Sequence, residues 1–539
     1  MIRFRHTHPA FGRPTPSILG GALFSGLLLL SGCAVGPRYS RPSAPVPADY
    51  KETPQNWKPA QPADQVLKGK WWEVYQDPQL NTLEEKINVS NQSLKAVQAQ
   101  FEQARATVRY NRANYYPTIT AGVSAARERF SSNRPLARFG GGVTTNDLAI
   151  PVDMSYEPDV WGRVRRTVEA ARADAQTSLA DLESVRLSVH AELAVDYFQA
   201  RELDAEAQLL DSTVASYTKQ LDLTNNRYKG GVASQVDVAQ AQTQLETARA
   251  QAIDVREQRT QFEHAIAVLI GEPASTFSLP VASLNATPPV IPPGLPSELL
   301  ERRPDVAATE RQMASANARI GVAKAAYFPL FNLSPSAGFE STMITNWLSN
   351  PSTFAVVGAS AVVTAFDAGR RRAANDQARA LYDQAVANYR QNVLTAYQEV
   401  EDNLAALRLL EDESDTETRA VAAAEHSLAL SNNRYKGGVA TYLEVITAQT
   451  TALADERTAV QISGRRMADS VLLIKALGGG WDAASLSTRK TPRHSGRKAK
   501  KWSENRSNSL DRSDEQEQET RHYLVQSARA PTSKVSAEK

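Results

Sequence analysis

The chain has 539 residues, 61 Lys plus Arg against 59 Asp plus Glu, a mean hydropathy of −0.40 and one cysteine. That balance gives no electrostatic preference for nucleic acid or acidic substrates, and the lack of an apolar run of about 18 residues after the N-terminus argues against a helical membrane protein. A β-barrel escapes the second test, because its strands are short and alternate in polarity.

At the N-terminus, Arg3, Arg5 and Arg13 precede the apolar run ILGGALFSGLLLL, which ends at Leu30-Ser31-Gly32-Cys33. Residues 1–32 read as a signal peptide and Cys33 as a lipidation site, since a lone cysteine in an exported chain has no internal disulfide partner. Ala34 follows, where an Asp would signal retention at the inner membrane. The expected destination is therefore the outer membrane, with 33–70 as a lipidated extended segment.

Residues 71–290 and 291–481 carry the same plan twice. A helix runs through Leu94-Lys95-Ala96-Val97 to Tyr115-Tyr116-Pro117, and its counterpart runs from Asp305 to Tyr327-Phe328-Pro329. Each stops at an aromatic pair and a proline, as the restriction on the residue before proline requires. The period then changes to that of strands in TITAGVSAARERF and AIPVDMSYEPDVWG, and again in FNLSPSAGFEST and FAVVGASAVVTAFD. Ile119, Ala121 and Val123 alternate with Thr118, Thr120, Gly122 and Ser124, one apolar face against one wet face.

Next in each half comes a stretch without Gly or Pro, Arg163 to Lys229 and Arg370 to Lys436. At 1.5 Å per residue each predicts a helix roughly 100 Å long. Steps of three and four from Leu179 through Leu193, Leu210 and Tyr217 trace an apolar seam. The matching seam of the second half weakens at Ser414 and Glu417. Both stretches end in NNRYK, run on into GGV, and a further helix follows, near 235–270 and 443–477.

Four strands cannot close a membrane barrel, whereas three copies would supply twelve. The architecture expected is mainly α with a small β part: a short barrel above a long helical one, with the Gly-Gly turns at the far end. Glycine allows the positive φ of a tight reversal after a helix. Asp237 and Glu444 follow each turn, where a ring of carboxylates could narrow an entrance or simply favour the first helical turn.

No histidine pairing suits a metal, and no GxSxG, GxxxxGK or GxGxxG motif stands in place for catalysis. No cofactor is expected beyond the lipid on Cys33. Residues 482–539 are polar and charge-blocked, and read as a disordered tail.

The segments CAVGPRYSRP, WWEVYQDPQLNTL, YEPDVWGRVRR, LLERRPDVAATERQMASANARIGVAKAAYFP, FDAGRRRAA and ALGGGW, in this order, resemble the TolC-type outer membrane factors. The likeness is to the lipoprotein branch that serves resistance-nodulation-division pumps. It implies a homotrimer with a twelve-stranded transmembrane barrel, acting as the passive exit duct of a tripartite efflux pump. Its partners would be a periplasmic membrane-fusion adaptor and an inner-membrane transporter, with no nucleic acid and no enzymatic activity. By resemblance the adaptor docks on one tip made of Tyr228, Gly230, Gly231, Val232, Ala233 and Ser234. The other is made of Tyr435, Gly437, Gly438, Val439, Ala440 and Thr441. Asp237, Glu444 and Thr447 are the gate candidates, although Thr447 stands where the family often has an acid. A type I protein-secretion duct and a non-pore coiled-coil scaffold are the alternatives; the lipobox disfavours the first and the strand pairs the second.

Overall fold

The computed structural model describes residues 34–52, 69–129, 131–133, 142–284, 287–291, 296 and 299–481. The signal peptide, Cys33, residues 53–68 and the tail 482–539 lie outside the described residues. Helices α1 (Pro78–Ser90) and α2 (Gln92–Ala113) lead to strands β1 (Thr118–Ala121), β2 (Ser124–Arg129) and β3 (Thr144–Ser155). Helices α3 (Arg163–Lys229) and α4 (Gln235–Leu269) complete the first half. The second half repeats the order with α5 (Pro304–Ala325), β4 (Leu330–Leu333), β5 (Ser336–Ser341), β6 (Thr353–Val356) and β7 (Ala359–Val362). It closes with α6 (Arg370–Lys436) and α7 (Tyr442–Ala476).

Both long helices span 67 residues and coincide with the stretches free of Gly and Pro. Each starts after a glycine at positive φ, Gly162 at 81° and Gly369 at 88°. An aspartate then takes up amides left free at the helix start. Asp159 accepts from Val164 and Arg165 N–H at 2.8 Å, and Asp367 from Gly369 and Arg371 at 3.1 and 3.2 Å. The DVWGR and FDAGR motifs are thus devices for turning a strand into a helix. Trp161 ties the first of these junctions to the helix-to-strand turn between α5 and β4, stacking on Phe328 at 4.7 Å and donating Nε1–H to Pro329 O at 2.9 Å.

The seven strand segments lie on four lines. β1 and β2 both pair with β3 in one unbroken register, from Thr118 opposite Ser155 to Arg129 opposite Thr144. They are cut only at Gly122 and Val123, where Pro151 of β3 accepts from Gly122 N–H and has no N–H to return. Pro335 likewise separates β4 from β5, although Met154 N–H still donates to its carbonyl. The third line pairs with β3 and with the β6–β7 line, so β3 and β5 join the two halves of the chain. The expectation of four strands holds, with prolines interrupting the ladders and β3 beginning at Thr144, earlier than its AIPVDMS core.

Directly paired residues share a face, so the register sorts the sheet into two sides. One side carries Ile119, Ala121, Val123 and Ala125, then Leu148, Ile150, Val152 and Met154. It continues with Leu333, Ala337, Phe339 and Ala355, and with Phe331, Ala359 and Ala361. The other side carries Thr118, Thr120, Asp147, Asp153, Ser336 and Glu340. The first and last lines have no neighbour beyond them among the described residues.

Below the sheet, the seam is buried along α3 from Leu179 to Tyr217 and loosens in α6 around Ser414 and Glu417, as its sequence predicts. Residues 34–52 lie along α3, α5 and α6 as a strap. Val35 N–H donates to Trp161 O at 3.0 Å, and Asn317 to Pro37 O at 3.2 Å. Arg41 meets the Tyr389 hydroxyl at 3.0 Å, and Glu401 accepts from Lys51 and Glu52 N–H at 2.7 and 3.0 Å. Gly36 is required here, because its φ is +107° and an added Cβ would come within 2.5 Å of Gly321 Cα.

The WWEVYQDPQL segment and the rest of α1 fold against the middle of α3, burying Trp71, Trp72, Leu80 and Ile87. Trp72 stacks on His190 at 4.5 Å, and His190 Nδ1 lies 2.5 Å from Glu84 Oε2. Burial pushes the Glu84 carboxyl well above the usual carboxylate range. Burial, with Arg186 nearby, holds the His190 imidazole down to about 4. Both groups are then neutral, with the Glu84 O–H donating to Nδ1.

Between pH 4.5 and 6.5, the ordinary values of the two groups, the folded pair and the unfolded pair each hold one proton, so the pair adds no slope to stability. Above pH 6.5 the unfolded chain has lost both protons while the folded chain keeps that of Glu84, so stability falls as pH rises. Below pH 4.5 the unfolded chain takes up a second proton first, and stability falls again. Glu84→Gln keeps a donor toward Nδ1 and should remove the alkaline loss. Melting curves at pH 6.5 and 8.5 should shift for the wild type and stay level for the variant. Parallel shifts in both would contradict this account.

Candidate functional site

The two NNRYKGGV stretches form two helix ends of the same construction. In the first, Val232 N–H reaches Arg227 O at 2.8 Å and Gly231 N–H reaches Tyr228 O at 2.9 Å. In the second, Val439 N–H reaches Arg434 O and Gly438 N–H reaches Tyr435 O, each at 3.0 Å. This pair of bonds is the Schellman cap, which needs a left-handed residue after the last helical turn. Gly231 at φ 71° and Gly438 at φ 76° supply it, and neither has any atom within 4 Å of where a Cβ would stand.

Beyond the turns the tips differ. Ser234 caps α4: its Oγ accepts from Asp237 N–H at 3.1 Å, and the Asp237 carboxylate accepts from Ser234 N–H at 2.8 Å. The capping box thereby occupies Asp237. Thr441 makes no such cap, and Glu444 lies 3.8 Å from Arg434 in an exposed pair. Thr447 is exposed and donates its hydroxyl to Leu443 O at 3.0 Å, within its own helix.

The structure brings the tips together inside one protomer. Tyr435 is 4 % exposed while its repeat counterpart Tyr228 is 45 % exposed. The Tyr435 ring sits 5.3 Å from that of Tyr442, beneath the Arg227 guanidinium at 4.7 Å, and Arg227 also donates to Lys436 O at 3.1 Å. Of the two tip tyrosines, Tyr435 is thus held inside the protomer, its ring between the tips. Arg227, which sequence reasoning did not single out, is the clasp. Left facing solvent are Tyr228, the four glycines Gly230, Gly231, Gly437 and Gly438, and Val232 and Val439 at 67 % and 73 % exposed. Ala233 and Ala440 are half-buried, and Ser234 and Thr441 exposed.

Among the described residues no group of acids, histidines or cysteines is arranged for a metal, and no helix is long and apolar enough to cross a membrane. The tips offer backbone, the Tyr228 ring and small side chains for contact, while the opposite end of the protomer is a sheet with one side apolar through its middle. A sheet built for lipid, carried on helices that reach far below it, defines a channel of the outer membrane.

The comparisons agree. Residues 83–272 and 295–479 match the outer membrane efflux protein family, and the chain belongs to it. It is 30% identical over 470 residues to the probable efflux pump outer membrane protein TtgC of Pseudomonas putida, covering 87% of this chain and 96% of that one. It is 27% identical over 459 residues to the cation efflux system protein CusC of Escherichia coli, covering 85% and 98%. Among solved structures, the outer-membrane channel OprN superposes with a TM-score of 0.77 at 28% identity, over 83% of this chain and all of that one. The open state of the Neisseria gonorrhoeae MtrE channel does so at 0.72 and 28%, over 84% and 99%. The protein is an outer membrane efflux channel, and its family is one of channels rather than enzymes.

Proposed function

We propose that three copies close one twelve-stranded barrel and form the passive exit duct of a tripartite efflux pump. The observation that carries this reading is the sheet: one side apolar throughout its middle, and both edge lines unpaired among the described residues. In a bilayer an open edge leaves backbone groups unsatisfied at several kcal/mol each, so further copies must supply the missing neighbours. The spacing of the tips from the sheet, about 100 Å of helix, suits a tunnel crossing the periplasm. A scaffold without a pore has no use for such a sheet.

The tips are the docking face for a periplasmic adaptor, which brings an inner-membrane transporter of the resistance-nodulation-division type. Exposed glycines let an approaching helix come close to the backbone, and Tyr228, Val232 and Val439 offer it apolar contact. Cys33 bears the lipid: Ala34 lies against Gly162, where a Cβ would come within 2.8 Å of it, so the chain leaves the strand–helix junction at membrane level. Small toxic molecules are the cargo. Relatives are named for antibiotics, toluene and cations, which favours this reading over protein secretion.

Glu444 is the acid left for the entrance, because Asp237 is spent on its helix cap. Removing the chain from its host should sensitise cells to hydrophobic drugs, and the wild-type gene should restore resistance. Glu444→Gln should restore it with a leak, read as new sensitivity to a glycopeptide antibiotic that an intact outer membrane excludes. Asp237→Asn should restore it without the leak. Unchanged drug sensitivity on removal would overturn the duct; a leak from Asp237→Asn alone would overturn the gate assignment.

A further inference from the structure

The outward side of the sheet changes character abruptly at the end away from the helices. Past Ala125 and Leu148 it carries Arg127 opposite Asn146 and Arg129 opposite Thr144. On the neighbouring line the same side ends in Ser341, opposite Leu148. Residues on this side never turn inward, since alternation sends Glu128 to the other side with Asp147, Asp153 and Glu340. Opposite charges at adjacent positions are thus kept apart by the sheet. Arg127 and Arg129 are exposed, and neither has an ion pair or hydrogen-bond partner among the described residues.

A cation on a lipid-facing strand costs about 2–4 kcal/mol at the midplane and close to nothing at the interface. The two arginines sit just beyond the apolar band, at the level of the outer leaflet's headgroups. They are two positions apart on one strand, about 6.6 Å at 3.3 Å per residue, a separation within reach of two phosphates on one headgroup. A guanidinium grips phosphate bidentately, and the acids of the described strands, Glu128, Asp147, Asp153 and Glu340, all lie on the other side of the sheet.

We propose that Arg127 and Arg129 form a binding site for the phosphorylated lipid of the outer leaflet, recognised through its phosphates. The proposal rests on the placement of these strands in the outer membrane. It does not require that the tips dock any adaptor or that the duct conduct. Because β2 lies on an unpaired edge line, each site stands where one copy would meet the next, and bound lipid would bridge the junction.

The probe is bisphosphorylated lipid A, added to the purified, delipidated full-length protein in detergent micelles and followed by native mass spectrometry. Wild type should retain it, and Arg127→Gln with Arg129→Gln should lower retention at least about tenfold, the loss of one charge-assisted pair or more. Arg109→Gln, an exposed charge on α2 at the opposite end of the sheet from the two arginines, should leave retention unchanged and shows that net charge is not the cause. Dephosphorylated lipid A should bind as weakly to wild type as lipid A does to the double variant. Free inorganic phosphate at millimolar concentration should compete weakly, placing affinity in the anchored headgroup. Equal retention by wild type and double variant, or equal binding of the dephosphorylated lipid, would overturn the proposal. Correct trimer assembly of the double variant with lost lipid would separate this site from failure of the duct itself.

Discussion

Replacing Gly231 and Gly438 together by tryptophan is expected to abolish drug resistance while leaving trimers and membrane insertion intact. Both positions hold φ above 70°, where a residue with a Cβ pays about 1–2 kcal/mol. That strain falls on a turn at the end of a helix whose seam, up to Leu210 and Tyr217, is held independently. No atom lies within 4 Å of either added Cβ, so the bulk projects into solvent and not into the protomer. What it blocks is the approach of another helix to the tips. Growth on hydrophobic drugs, with heat-resistant trimers followed on gels, checks both halves of the statement. Full resistance in the double variant would refute docking at these turns.

The second large effect belongs to the sheet, where adjacent residues should respond oppositely. Ile150 lies on the apolar side, paired with Phe339, and Ala149 lies on the other, paired with Ser124 and Glu340. Ile150→Arg would set a guanidinium in the middle of the hydrocarbon band at a cost of about 2–4 kcal/mol per copy, three times over in the assembly. Protein reaching the outer membrane should fall sharply. Ala149→Arg places the same charge toward the interior beside Glu340, and should insert normally. Equal insertion of the two variants would mean that the sides of the sheet have been assigned wrongly.

The long helices were legible because their limits are set by local chemistry: glycine before each start, Gly-Gly after each end, and nothing between to break the ladder. The strands were legible as alternation, and the cut before β5 falls at a proline of its own line, Pro335, but the cut at Gly122 comes from Pro151 across the sheet, and that is a matter of register. The two tips show the limit most clearly. Their eight-residue sentences are identical, yet Tyr228 is exposed and Tyr435 buried. The difference comes from the helix that follows, where Tyr442 meets Tyr435 while its counterpart Gln235 offers no ring to Tyr228. The pairing of Glu84 with His190 joins positions far apart in sequence, with no local pattern to announce it.

The central claim is that copies of this chain enclose a single water-filled pore. Purified trimers reconstituted into a planar bilayer test it directly. The account predicts discrete single-channel steps that grow in the Glu444→Gln variant and persist without any energy source. A protein that inserts as a trimer and never conducts, with Glu444 intact or replaced, would contradict it.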